Sequence, residues 1–171
     1  DKLVTLRINF IGANPDPALS GVDKLSGKVN YLIGNDKSRW HTNIPIYSKV
    51  RNAEIYPNID LLFYTKNGHP EYDFELAAGA DPALIRIGFQ GAHKLQLDSI
   101  GNLVISSSRG EFIQPRPIAY HMHAGRLRSV PASYRMIDEM TVAFVLEEYD
   151  KSLPLRIDPE IIYSTYLGGS G

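Results

Sequence analysis

Cysteine is absent from all 171 residues, which excludes disulfides, thiolate-bound zinc and thiol catalysis together. Long hydrophobic runs are missing as well. The apolar stretches extend over only a few residues, far short of the roughly 20 that a helix needs to cross a bilayer, so no membrane insertion is expected. Nor is there an excess of one charge: 18 basic against 19 acidic residues leave a formal net charge of −1, with no broad pull toward nucleic acid or anionic lipid. Basic residues do gather around Arg116, Arg126, Arg128 and Arg135, but without the aromatic company that nucleic-acid motifs need. No nucleic-acid partner is expected. The Gly-x-Ser-x-Gly elbow, His-Glu-x-x-His and the glycine-rich phosphate loops are also missing, which leaves hydrolase, zinc-peptidase and nucleotide chemistry without a motif.

What is present points to one folded domain. Apolar residues make up 43% of the chain and charged residues 22%, a balance suited to a packed core at this length. Val4, Leu6, Ile8 and Phe10 alternate with polar residues at the period of a half-buried strand. Pro15, Pro17 and Gly21 then predict a loop, Lys28 to Ile33 a strand, and Gly34 to Ser38 a turn. Pro45 cannot donate to a ladder, so Ile44 to Val50 reads as an edge strand or an extended loop. Asn67-Gly68 between two alternating apolar runs predicts a tight hairpin. Further strands follow at 83–89, 95–97, 103–105, 111–114, 117–123, 126–130, 133–137 and 141–146. Asp81-Pro-Ala-Leu allows one short helical turn at most. Strand signals recurring about every 8–12 residues predict an all-β, mostly antiparallel, sandwich-like domain, with a composition boundary at Asp158-Pro159 separating residues 1–158 from 159–171.

Three groups of residues have chemical potential. Glu71, Asp73 and Glu75 share one face of a strand at about 7 Å spacing, suited to Ca²⁺ or to acid/base hydrolysis of a glycan if a loop closes over them; a solvated face is the expected reading, because unpaired buried carboxylates are costly. His121 and His123 share a strand face at a spacing that suits Zn²⁺, yet no third ligand is evident and a solvent-facing pair is expected. No metal and no cofactor are therefore expected. The aromatics gather early, at Tyr31, Trp40, Tyr47, Tyr56 and Tyr64. Trp40, Tyr47 and Tyr56 are the candidates for contacting a protein or stacking on a sugar ring, as a carbohydrate-binding module would.

The last residues carry the most specific signal. Tyr163-Ser-Thr-Tyr-Leu-Gly-Gly-Ser-Gly171 closely resembles the opening of an SBBP-type repeat in bacterial secreted proteins with β-propeller arrays. Gly12-Ala-Asn-Pro15, Gly27-Lys-Val-Asn-Tyr31, Gly34-Asn-Asp36, Arg39-Trp40, Ile55-Tyr-Pro-Asn-Ile-Asp60, Glu71-Tyr-Asp-Phe74, Gly79-Ala-Asp-Pro82 and Ile157-Asp-Pro159 are similar, in that order, to the domain preceding the propeller. The resemblance implies an exported bacterial protein, in the periplasm, at the cell surface or outside the cell. It also implies a chain that continues at both ends, and it names no reaction, ligand or catalytic residue. The expected role is a non-catalytic structural and protein-interaction module, docking on the propeller repeats of its own polypeptide or on a partner chain. Ile161, Ile162, Tyr163, Tyr166 and Leu167 join the interaction candidates, because so many large apolar groups in seven positions are not left in water at roughly 1.5–3 kcal/mol per fully buried side chain.

Overall fold

The computed structural model describes residues 5–108, 110–123 and 125–160. In chain order the strands are β1 (Arg7–Phe10), β2 (Ala18–Tyr31), β3 (His41–Tyr56), β4 (Ile59–Lys66), β5 (His69–Leu76), β6 (Arg86–Gln90) and β7 (Lys94–Leu97). They continue with β8 (Leu103–Ser107), β9 (Gly110–Gln114), β10 (Ile118–His123), β11 (Arg126–Val130), β12 (Ala132–Asp138), β13 (Thr141–Leu146) and β14 (Leu155–Asp158). Helix is confined, among the described residues, to two single 3₁₀ turns, Lys37–Arg39 and Pro82–Leu84, whose first turns are capped by Asp36 and Asp81 accepting from the amides of Ser38 and Ala83. The fold is all-β and antiparallel, as the spacing predicts. The proposed propeller start and its five candidates, Ile161 to Leu167, lie outside the described residues.

A seven-stranded sheet ordered β11-β10-β14-β5-β4-β3-β2 packs against a four-stranded sheet, β1-β6-β13-β12, and a three-stranded one, β7-β8-β9. Antiparallel partners face the same side, so the register assigns each face of the large sheet. Leu61, Phe74, Ile157, Ala119 and Val130 follow one another across five strands and are all buried in one core. Phe74 is at its centre, edge-on to Phe10, Tyr72 and Phe144 at centroid distances of 5.6, 5.9 and 5.8 Å. These contacts join the large sheet to β1 and β13. Gln114 of β9 ties in the third sheet by donating to Tyr72 Oη at 3.0 Å and to the Pro159 carbonyl at 3.1 Å.

The Asn67-Gly68 hairpin forms as predicted. Lys66 pairs with His69 across the turn, and both central residues have positive φ, 53° and 83°, the geometry in which strand twist and turn twist agree. Residues 18–27 depart from their prediction. The loop predicted from Pro15, Pro17 and Gly21 closes by Pro17, and β2 starts at Ala18, ten residues before the strand read at Lys28. It does so because β3 pairs with it from Ala18–Ala53 to Tyr31–His41. Pro45 lies within β3, opposite Lys28. The pairing of β3 with β4 begins only at Lys49–Tyr64, so the missing N–H of Pro45 interrupts no second ladder.

Candidate functional site

Two features of the large sheet stand apart from the core. One is the outer end of its β2–β3 edge. Beyond Lys49 the two strands leave β4 behind and continue as a ribbon, where eight residues of β3 at about 3.3 Å each give a projection of about 25 Å. Leu25, Tyr31, Leu32, Ile33 and Tyr47 are exposed along it, the middle three by more than half. The ribbon's outer edge is itself guarded. Asp23 has a φ of 56°, the register shifts between Lys24 and Lys28, and the two lysines flank the shift. Bulges and lysines of this kind discourage strand addition, so the available chemistry lies in the side chains.

Trp40 and Tyr47 are both on this ribbon, in different states. Tyr47 lays its ring over Gly21, where a Cβ would fall 2.3 Å from ring carbons; only glycine accommodates that seat. Trp40 is half-buried at the tip, donating from Nε1 to the Gly34 carbonyl at 3.1 Å, with Lys37 Nζ 5.8 Å from its ring centroid. Its ring therefore organises the tip. Tyr56, the third aromatic candidate, is corrected by the structure: it is buried, and its hydroxyl donates to the Ile11 carbonyl at 3.1 Å. The reversal has a local cause. A bulge between Asn52 and Tyr56, with Glu54 at φ 50°, turns the end of β3 into the core.

The second feature is the large sheet's other face. Asp60, Glu75, Arg156 and Tyr120 stand directly opposite one another on β4, β5, β14 and β10. Arg51 bridges Glu75 Oε2 at 2.9 Å and Asp60 Oδ2 at 3.5 Å, while Arg156 pairs with Glu75 Oε1 and lies 3.5 Å from Asp73 Oδ2. Tyr64 donates to Asp73 Oδ1 at 2.9 Å. The result is a ladder of alternating charge across four strands. The expected solvated carboxylate row is corrected here, since Glu71 and Asp73 are buried and Glu75 half-buried. Arg156 is 81 residues from Glu75, so the compensating cation is invisible to any local reading of the strand.

Burial raises the Asp73 carboxyl to about 6, helped by the neighbouring charge of Asp158 and opposed by Tyr64 and Arg156. Burial also pushes up the Tyr64 hydroxyl, with the charge of Asp73 adding to it, and raises Asp158. His121 faces the core side, opposite Leu155. It is buried, with no hydrogen-bond partner for Nδ1 among the described residues, so the solvent-facing reading of the histidine pair fails for His121; the side chain of His123 is outside those described. Among the described residues no group of three or more His, Asp or Glu side chains is arranged to hold a metal ion.

At the end of the ladder a cleft of about 730 Å³ opens over Arg51, Asp60, Glu75, Tyr120 and Arg156, with Leu127 at its wall. Sequence reasoning missed this site, since its walls come from β3, β4, β5, β10, β11 and β14. A family model described as Domain of unknown function (DUF7948) matches residues 1–160. No curated protein and no solved structure matches the chain.

Proposed function

The chain belongs to the DUF7948 family, and we propose that it is a non-catalytic structural and protein-interaction module of an exported bacterial β-propeller protein. The ribbon is its docking element, and its partner is the propeller-type repeats of the same polypeptide. One observation carries the reading: a projecting two-stranded ribbon presents five large apolar or aromatic side chains to water while its edge is guarded against strand addition. Each is 39–57% exposed and so forgoes about half of the roughly 1.5–3 kcal/mol that full burial supplies, which a covering partner recovers. The resemblance of Tyr163 to Gly171 to a repeat opening supports the choice of partner.

The carboxylates support a non-catalytic role. Both oxygens of Glu75 accept from guanidiniums, and Asp73 is held by Tyr64 and Arg156. A hydrolase needs one carboxyl free to move a proton and a second free to attack or to activate water, and here the ladder engages both.

Binding by the natural polypeptide beyond Gly171, produced as a separate chain, tests the proposal. The ribbon variant Leu25→Ser/Leu32→Ser/Ile33→Ser should fold as the parent does and bind at least about 100-fold more weakly, the equivalent of about 2.7 kcal/mol. Equal binding by both proteins, or no binding by the parent, would overturn the reading.

A further inference from the structure

We propose that the cleft beside the ion-pair ladder is a binding site for a neutral sugar ring, independent of whatever the ribbon docks on. Size comes first. A cavity of about 730 Å³ falls in the range of about 300–1,000 Å³ that small-ligand sites occupy.

Charge narrows the ligand class. Two guanidiniums, Arg51 and Arg156, face three carboxylates, Glu54, Asp60 and Glu75, around the cleft. Arg51 and Arg156 are already paired with Glu75, Asp60 and Asp73. Among the described residues of the cleft, an anion such as a phosphate would find no uncompensated cation; with Asp73 counted, four carboxylates stand against two guanidiniums, and three of the four are already engaged by them. A hydroxyl group suits this wall better, because it donates to carboxylates and accepts from guanidiniums at once. The polar groups are also held in place by one another, so ordering them costs a ligand little.

The remaining walls provide what the C–H faces of a sugar need. Tyr120 is half-buried and directly opposite Arg156, and Leu127 is 64% exposed at the same cleft. An apolar platform beside fixed, planar polar side chains is the chemistry that recognises a pyranose ring. The aromatics that the sequence offered for this purpose are elsewhere, on the ribbon or in the core.

The test is ligand-observed NMR with maltose, cellobiose, lactose and chitobiose, alongside spermidine as a cationic probe and inorganic phosphate as an anionic one. At least one disaccharide should bind, with an affinity in the millimolar range or tighter. Leu127→Ser, at a residue too exposed to disturb folding, should weaken that binding at least about fivefold, and Tyr120→Ala, which removes the aromatic platform itself, should weaken it at least as much. Leu25→Ser on the ribbon should leave it intact, which separates this site from the docking element. Four results would overturn the proposal: no disaccharide binding; binding that survives both cleft substitutions; binding lost with the ribbon substitution; or spermidine or phosphate binding in place of sugar.

Discussion

Replacing Phe74 by alanine is expected to remove about 3–5 kcal/mol of folding stability, the usual cost of deleting a buried phenyl ring. Phe74 has no solvent exposure and makes edge contacts with rings from β1, β5 and β13. Its loss therefore opens a cavity where the two larger sheets meet, and no single neighbour can collapse into it. Phe63 is the control: it is 38% exposed and reaches Phe10 and Tyr72 only at 6.4 Å. Urea unfolding should show Phe63→Ala costing less than half as much. Equal losses would mean that the core is not centred on Phe74.

The second large effect is expected at Arg156. Arg156→Ala leaves the buried Asp73 without its cation and Glu75 with Arg51 alone. Breaking a buried pair typically costs about 3–5 kcal/mol; the Arg156 side chain is 31% exposed, so about 2–3 kcal/mol is expected at pH 7 after discounting for water. Adding Asp73→Asn should restore part of the loss by removing the stranded charge.

The pH dependence has a definite sign. Asp73 is raised to about 6 in the folded protein, so the native state binds this proton more tightly than the unfolded chain does. Its contribution to stability is complete below about 3.9, the ordinary aspartate value, and is lost as pH rises through about 6. Without Arg156 the folded carboxyl titrates higher still. The Arg156→Ala penalty should therefore shrink between pH 7 and pH 5, and the shrinkage should vanish in the Asp73→Asn background. A penalty independent of pH, or one made worse by Asp73→Asn, would contradict the ladder.

These two positions show where local reading succeeds and where it stops. Alternation at 59–63 and 72–76, with Asn67-Gly68 between them, is a local signal, and the hairpin follows from it directly. The same strand pattern assigns Glu71 and Asp73 to a solvated face, because two-residue periodicity says which residues share a face and nothing of what covers it. The covering partners come from β14, near the other end of the chain. Tyr56 fails for a related reason: its burial depends on a bulge at Glu54 whose positive φ no propensity suggests. The ribbon fails in the opposite direction. Pro15, Pro17 and Gly21 predict a loop up to the strand read at Lys28, and pairing with β3 makes residues 18–27 a strand as well. The cleft needs six strands in their sheet order, so no spacing in the sequence encodes it.

The central claim is that the ribbon adds nothing to the core and is kept for a partner. Lys24 and Tyr47 are directly paired, so residues 25–46 can be replaced by Asn-Gly, a two-residue turn suited to closing a hairpin. Urea unfolding of this shortened protein beside the parent is the direct measurement. Stability within about 0.5–1 kcal/mol of the parent, the range of ordinary surface changes, is the expected result, and a loss of several kcal/mol would show that the ribbon belongs to the fold after all.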